Sequence, residues 1–237
     1  MQVFEGLVYI DPPKTASTYI SKFLKHCCIH EELYYNKHLG FCGDMRKFSN
    51  SLIFISVRHP LSQYRSLYRF GREGKGAVYE QIREAGYSYL YDPSRGSFSN
   101  FMDFMLDKTK RSVFYRDDYS KIDRICDMGL ISYRHLVRSI NCPFDIIARC
   151  DGIGQLYDIY IRRKIWHLAV RQERLSRDLL FLCDMSRSLS KERAKRFIEE
   201  SPMANTTRKT EEYDYEICSD LERMLIRKEA LLIDHIY

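Results

Sequence analysis

The sequence has few of the features that mark a metal-binding, disulfide-rich or membrane protein. Its eight cysteines include the neighbours Cys27 and Cys28 but no CxxC pair. This spacing favours neither a zinc site nor a secreted disulfide framework, and we expect mostly reduced thiols. No N-terminal signal pattern is present, and no apolar run approaches the ~20 residues that span a bilayer. We therefore expect no metal and no membrane span.

The charge balance is modest, with 38 Lys and Arg against 32 Asp and Glu. That excess is too small to predict a nucleic-acid partner, but it suits an anionic nucleotide or a polyanionic sugar. The 237 residues are enough for one domain with a sizeable core, and the sequence contains neither an internal repeat nor a low-complexity tract. We expect a single domain over residues 1–237.

Two segments in the first third of the chain predict strand, loop and helix in succession. The run Leu7–Ile10 is β-branched and short, and it is followed by apolar residues at helical spacing from Tyr19 to Cys27. The run Leu52–Val57 is nearly all apolar, as in a strand buried on both faces, and helical spacing follows it too. These units predict an α/β fold with a parallel sheet flanked by helices.

The rest of the chain gives weaker signals. Residues 71–100, rich in Gly, Tyr and charge, indicate a long loop with short helical pieces, which we expect to be an insertion that binds the acceptor. Helices are predicted over residues 101–106, 131–140 and 214–236, and one or two more over 154–181. Residues 144–148 are predicted to form a short strand.

The loop after the first strand has the composition of a phosphate cradle. It places a lysine, small residues and hydroxyls at the start of a helix, where backbone N–H groups and the helix dipole favour an anion. The segment reads Pro13-Lys14-Thr15-Ala16-Ser17-Thr18. The Walker A pattern GxxxxGK[ST] is absent, which disfavours an ordinary ATPase or GTPase and leaves a P-loop-like site of another kind. A capped helix start with a solvated lysine is the alternative interpretation.

The hexapeptide resembles the 5′-phosphosulfate loop of sulfotransferases that use 3′-phosphoadenosine 5′-phosphosulfate (PAPS). It is most similar to the loop of the hexuronic 2-O-sulfotransferases, which act on carbohydrate chains. The resemblance implies a sulfotransferase fold in which Lys14 contacts the oxygen between phosphate and sulfate. It also implies that the 5′-phosphate is bound by the segment Thr15, Ala16, Ser17 and Thr18.

A second motif follows the second strand. Arg58, Pro60 and a later Ser and Tyr have the spacing of the sulfotransferase 3′-phosphate signature, with Ser66 as the serine. A guanidinium offers a planar fork to a phosphate, and a serine adds a neutral donor. This chain has Gln63 where the family often has another arginine, and Arg65 two positions later. A surface ion pair at Arg58 is the alternative interpretation.

Sulfuryl transfer also needs a base, and His38 is the predicted one. It lies between the two motifs, where the similar 2-O-sulfotransferases carry a catalytic histidine ahead of an aromatic residue, here Phe41. An ordinary imidazole titrates near neutral pH, which suits proton transfer. Glu31 and Glu32 are the alternative bases, because other sulfotransferases use a glutamate in this region.

Near the C-terminus, Arg208 and Lys209 lie in a segment similar to the loop that closes over the nucleotide in carbohydrate sulfotransferases. The resemblance thus implies contacts from both residues to phosphate or to an anionic acceptor, and an exposed linker is the alternative.

Taken together, the motifs predict a PAPS-dependent O-sulfotransferase that leaves PAP (adenosine 3′,5′-diphosphate) as product. Its predicted acceptor is a carbohydrate, in the form of an oligosaccharide, polysaccharide or glycolipid; small molecules, lipids and tyrosine side chains are the alternatives. We expect a cytoplasmic location of the bacterial type, or the Golgi lumen if the sequence lacks its anchor. The rival functions are a kinase with an atypical P-loop and a non-catalytic protein that binds PAP or a glycan.

Overall fold

The structure of the chain is a computed structural model that describes residues 1–92, 97–121, 127–201 and 215–237. Within these residues the strands are β1 (Gln2–Phe4), β2 (Leu7–Ile10), β3 (Glu32–Tyr35), β4 (Leu52–Val57) and β5 (Leu168–Arg171). The α-helices in the first part of the chain are α1 (Ser17–Cys27), α2 (Pro60–Arg72), α3 (Ala77–Glu84), α4 (Phe98–Leu106) and α5 (Leu130–Ser139). The later ones are α6 (Pro143–Ile147), α7 (Ile153–Arg163), α8 (Leu175–Met185), α9 (Lys191–Glu200), α10 (Ser219–Lys228) and α11 (Ala230–Ile236).

Short 3-10 helices join several of these elements. They span Met45–Phe48, Ser88–Tyr91, Lys108–Asp117, Tyr119–Lys121 and Gln172–Arg174. The described chain divides into two compact units. The first contains residues 1–58, 136–144 and 159–201, and the second contains residues 59–135, 145–158 and 215–237, apart from the gaps given above.

The sheet of the first unit has five strands in the order β3-β1-β2-β4-β5. Strands β2, β4 and β5 are parallel, as the sequence predicts for β2 and β4, whereas β1 is antiparallel to both of its neighbours. The α/β class is therefore confirmed, and the expectation of a parallel sheet is corrected to a mixed one. The reason is a tight turn at Glu5 and Gly6, which folds β1 back onto β2 with Phe4 opposite Leu7.

Gly6 is required at this turn. Its φ of 71° lies in the left-handed region, and a Cβ there would approach the Ser188 hydroxyl to 2.8 Å. That hydroxyl donates to the Glu5 carbonyl at 2.7 Å, so the turn is fastened to the loop between α8 and α9.

One face of the sheet supplies the main core of the first unit. Tyr9 of β2 and Phe54 of β4 stack at a centroid separation of 4.8 Å. Helices α1, α8 and α9 cover this face with buried side chains, among them Ile20, Phe23, Leu24, Leu179, Leu182 and Phe197. The apolar spacing of α1 follows from this packing, since its buried positions recur along one stripe of the helix.

The second unit has an aromatic core of its own. Tyr68 of α2 packs against Tyr91, Phe98 and Phe101 at centroid separations of 5.8, 5.5 and 5.2 Å. The described part of the Gly- and Tyr-rich segment 71–100 contains the end of α2, α3, a 3-10 helix and the start of α4. The predicted helical pieces are therefore present, whereas the prediction of a long loop is corrected, because most of these described residues are helical. The proposed binding of the acceptor by this segment stays a prediction.

Most of the predicted elements are present, and three are corrected. Residues 144–148 fall largely in α6 rather than in a strand. Segment 154–181 holds not only α7 and α8 but also β5 between them. The predicted terminal helix over 214–236 is two helices, α10 and α11, which are divided at Glu229. In the described residues no helix has both the length and the apolar character needed to cross a membrane.

Candidate functional site

The candidate site lies at one edge of the sheet in the first unit. The pairing registers give β3, β2, β4 and β5 the same direction, so their carboxyl ends meet at this edge. Lys14 follows the end of β2 by four residues, Arg58 follows β4 directly and His38 follows β3 by three residues. In open α/β sheets, ligands bind outside the carboxyl ends of the strands. The topology therefore brings together three residues that the sequence motifs select separately.

The loop between β2 and α1 has an unusual backbone. Lys14 and Ala16 have φ angles of 66° and 67°, in the left-handed region that residues with a Cβ avoid. Each such residue costs about 1–2 kcal/mol. Backbone conformations of this kind concentrate at ligand-binding and catalytic sites, and left-handed residues are a feature of the nests of N–H groups that bind anions.

Helix α1 begins immediately after this loop. Its N-cap residue is Ala16, which has no oxygen in its side chain to accept hydrogen bonds from the first turn, Ser17-Thr18-Tyr19. The first N–H groups of a helix have no partner within the helix. The combination of an apolar N-cap, a neutral first turn and an adjacent lysine favours an anion at this end.

The Thr15 hydroxyl points into the protein. It donates to the Pro12 carbonyl at 2.7 Å and therefore accepts from the Ser56 hydroxyl at 2.6 Å, because a hydroxyl has one proton. By the same logic Ser56 accepts from the Tyr9 hydroxyl at 2.8 Å. This buried chain of hydrogen bonds ties the loop to β2 and β4, so Thr15 has its backbone N–H rather than its hydroxyl to offer a ligand.

The side chain of Arg58 contacts the same loop. Its Nη1 donates to the Lys14 carbonyl oxygen, with the two atoms 3.4 Å apart. Arg58 and Lys14 are both half-buried, so their positive charges are partly withdrawn from solvent beside the start of α1. A further cation, Arg171, ends β5 opposite Val57 at this edge. The sequence pattern does not indicate Arg171, because it does not predict β5.

The ring of His38 is held in one orientation. Its Nδ1 lies 2.8 Å from the backbone oxygen of Asp11, which can only accept, so Nδ1 carries the proton. The backbone N–H of His38 also donates to both carboxylate oxygens of Asp11 at 3.0 Å. Asp11 is buried at 1% exposure and lies three residues before Lys14, so its hydrogen bonds connect His38 to the loop of Lys14. In the neutral ring the lone pair is then on Nε2.

The surroundings of His38 favour the neutral form of the imidazole. Burial, the largest influence, lowers its pKa below the ordinary value of 6.5, and the charges of Arg138 and Lys37 act in the same direction. Asp11 raises the pKa without reversing the shift. The side chain is still 31% exposed. A neutral, oriented and accessible imidazole has the properties of a general base.

The alternative bases lie at the other edge of the sheet. In β3, Glu32 pairs with Phe4, which in turn pairs with Leu7 at the beginning of β2. The Glu32 carboxylate forms an ion pair with Lys25 at 2.9 Å, and Glu31 precedes the strand and is exposed. Both glutamates therefore lie at the edge opposite to the one reached by Lys14.

The remaining predicted residues lie elsewhere in the chain. Ser66 is half-buried in α2, which belongs to the second unit, and its role stays a prediction. Arg65 donates to the Tyr215 carbonyl oxygen at 3.3 Å, and its guanidinium lies over the Tyr215 ring. Arg208 and Lys209 lie outside the residues that the structure describes.

Two residues that support the site were not singled out from the sequence. Asp11 and Ser56 are both buried and polar, and each lies at the end of an apolar strand. A polar residue in that position is a usable signal, because the carboxyl ends of neighbouring parallel strands meet. The described residues contain no cluster of three or more His, Cys, Asp or Glu side chains that could hold a metal ion.

Comparisons of the chain with protein-family models, with curated proteins and with solved structures found no match.

Proposed function

We propose that the chain is a PAPS-dependent O-sulfotransferase with a sulfotransferase-type fold, and that its acceptor is a hydroxyl of a carbohydrate. The observation that carries the proposal is the meeting of Lys14, Arg58 and His38 at the carboxyl edge of one sheet. The motifs that resemble those of sulfotransferases predict a role for each of these residues, and the fold brings the three strand ends to one edge.

The donor set suits both phosphorylated positions of PAPS, with Lys14 and the start of α1 proposed for the 5′-phosphosulfate and Arg58 for the 3′-phosphate. Lys14, the N–H groups at the start of α1 and Arg58 form a cationic, donor-rich surface around the strained loop. Charge-assisted hydrogen bonds to a phosphate are the strong ones, and a guanidinium can bind a phosphate through two parallel N–H groups. When PAPS is bound, Lys14 would balance the charge that develops on the departing phosphate.

His38 is suited to act on the acceptor. Its Nε2 takes the proton of the acceptor hydroxyl while that oxygen bonds to sulfur and the bond from sulfur to the phosphate oxygen breaks. The products are PAP, a sulfate ester and a protonated imidazole that returns its proton to solvent. Asp11 holds the ring so that Nε2, and not Nδ1, carries the lone pair.

The first experiment is a calorimetric titration of the purified chain with PAP, AMP and ATP in the absence of metal. PAP differs from AMP by its 3′-phosphate, the group that Arg58 is proposed to read. We expect PAP to bind at least about tenfold more tightly than AMP, because a hydrogen bond to a charged group contributes about 1.5–3 kcal/mol. Equal affinity for PAP and AMP would contradict the proposed donor.

Variants of Lys14 and Arg58 test the proposed binding of the donor. Lys14→Ala and Arg58→Ala should each weaken PAP binding by roughly 10- to 100-fold. Lys22→Ala is the matched control, because Lys22 is an exposed lysine of α1, the helix that follows the Lys14 loop, and its loss should leave PAP binding unchanged.

His38→Ala should bind PAP normally and transfer sulfate from labelled PAPS to a panel of unsulfated polysaccharides roughly 10²- to 10⁴-fold more slowly. A fully active His38→Ala enzyme would move the base to another residue. Phosphoryl transfer from ATP with magnesium, without sulfuryl transfer from PAPS, would replace the proposal with the kinase alternative. Tight PAP binding with no transfer to any acceptor would favour the non-catalytic alternative.

A further inference from the structure

Two cysteines that are far apart in the sequence face each other beside the loop that carries His38. The Sγ atoms of Cys42 and Cys142 are 2.7 Å apart. A covalent S–S bond measures about 2.05 Å, so only a small movement separates this contact from a disulfide. Cys42 is exposed and Cys142 is half-buried, and both belong to the first unit.

The backbones on either side of the thiols are already fastened together. The Asn141 side chain accepts from the Gly43 N–H at 3.0 Å and donates to the Gly43 carbonyl oxygen at 2.8 Å. This double hydrogen bond joins the residue after Cys42 to the residue before Cys142. The thiols therefore face each other through a local pairing of two segments and not through a chance approach of two side chains.

The pairing continues towards His38. Arg138 Nε donates to the His38 carbonyl oxygen at 3.2 Å. A Cβ on Gly40 would come within 3.0 Å of the Val137 carbonyl oxygen, so the two backbones are in close contact there. Segment 38–43 thus lies along segment 137–142, and the thiols are at one end of this contact.

The other cysteines of the first unit lack this setting. Cys27, Cys28 and Cys183 are buried, and burial raises the pKa of all three thiols, to about 12 for Cys27 and about 11 for Cys183. Such thiols react slowly with oxidants, because the thiolate is the reactive form. Cys42, in contrast, is exposed to small molecules in solution.

We propose that Cys42 and Cys142 form a reversible disulfide, a redox-modification site that fastens the loop of His38 to the end of α5. The oxidant is a small disulfide such as glutathione disulfide. The thiolate of Cys42 attacks one of its sulfurs and releases one glutathione thiolate; the thiolate of Cys142 then attacks the sulfur of Cys42 and releases the second. The two protein thiols lose two protons and two electrons, and the small disulfide takes up two electrons. This inference does not depend on the proposed function.

The test begins with the unmodified chain. It is incubated with glutathione disulfide, alkylated, digested with trypsin without reduction and analysed by mass spectrometry. We expect the peptide of residues 38–46 linked to the peptide of residues 139–149, each of which contains one cysteine. Two of the eight thiols should be lost, and dithiothreitol should restore them. Separate alkylation or glutathionylation of Cys42 and Cys142, without the linked peptide, would overturn the proposal.

Thermal unfolding tests whether the bond fastens the loop. The oxidised chain should unfold roughly 5–10 °C above the reduced chain, since the disulfide closes a long loop. Cys42→Ser should abolish this difference. Cys218→Ser, which removes an exposed cysteine of the second unit, should retain it. An oxidised wild-type chain that melts at the same temperature as the reduced one would overturn the proposed fastening even if the linked peptide formed.

Discussion

At the scale of the residue, His38 shows how tertiary contacts define the tautomer and the charge of a side chain. A histidine between two motifs has no defined tautomer, and its sequence neighbours do not predict its charge. In the structure, the backbone oxygen of Asp11 puts the proton on Nδ1, and burial lowers the pKa of the ring. Its own φ of 62° is left-handed, and the Asp11 carboxylate fixes that conformation by accepting the His38 N–H.

The pH dependence of transfer should report this environment. A base must be neutral, and the pKa of His38 is lowered from 6.5, so we expect kcat/KM to stay level from pH 8 to below pH 6.5 before it falls. The measurement is the rate of transfer from labelled PAPS at fixed ionic strength, with PAP binding measured at each pH as the control. A loss of activity centred above pH 6.5 would contradict the assignment of His38 as the base.

The same shift also affects stability. Because the folded pKa of His38 lies below the unfolded one, the unfolded chain binds more protons between the two values. The contribution of His38 to stability is therefore present above pH 6.5 and is lost as the pH falls through its folded pKa.

At the scale of the element, Glu229 connects the C-terminal segment to α5. It lies between α10 and α11, where its buried carboxylate accepts from the N–H groups of Ile131 and Ser132 at 3.3 and 2.6 Å and so caps α5. The Tyr64 hydroxyl donates to the same carboxylate at 2.6 Å. Gly129 is required beside it, because a Cβ there would lie 2.0 Å from Glu229 Oε1.

Substitution of Glu229 should separate its hydrogen bonds from its charge. Burial raises the pKa of the carboxyl group, so ionisation of Glu229 disfavours the fold, and its contribution is lost as the pH rises through the folded pKa. Glu229→Gln keeps an acceptor for the Ser132 N–H and can donate to Tyr64, but it turns its NH2 group towards the Ile131 N–H, so we expect a cost of about 1–2 kcal/mol at neutral pH. Glu229→Ala leaves buried polar groups and a cavity and should cost about 3 kcal/mol or more.

Urea unfolding followed by circular dichroism measures both variants. Glu222→Ala, an exposed glutamate of α10, is the control and should change the free energy of unfolding by less than about 0.5 kcal/mol. An alanine at position 229 that is as harmless as one at position 222 would disprove the capping role.

The corrected elements have physical reasons. Residues 144–148 are a short apolar run, for which periodicity does not separate strand from helix, and Pro143 at the first position favours the helix α6. Strand β5 was missed because its four residues lie between two amphipathic helices. Strand β1 was missed because three residues at the N-terminus are too few for a pattern.

At the scale of the whole molecule, binding of the donor should appear as stability. A ligand that binds only the folded chain stabilises it by about 2.7 kcal/mol at 100 times its Kd. We therefore expect saturating PAP to raise the melting temperature by about 5–10 °C, and AMP at the same concentration to raise it less. Differential scanning fluorimetry without metal measures the shift. An equal shift with AMP, or an undiminished shift in Arg58→Ala, would contradict the proposed recognition of the 3′-phosphate.

The sequence by itself determined the two strand-loop-helix units and the residues that follow each strand. Those signals are local, because apolar periodicity and a lysine before a helix are visible within about 20 residues. It also identified Lys14, Arg58 and His38 as separate candidates through short motifs. It did not specify which side chains in the loop of Lys14 face inward, and it does not distinguish Thr15 from its neighbours.

Only the tertiary structure decided which residues meet. The registers of β3 against β1 and of β1 against β2 bring His38 to the edge of Lys14 and leave Glu32 at the opposite one. The contacts of Asp11 with His38 and of Cys42 with Cys142 join positions 27 and 100 residues apart. Pairings of this kind depend on the direction and order of strands and on side-chain packing, and no local stretch of sequence encodes them.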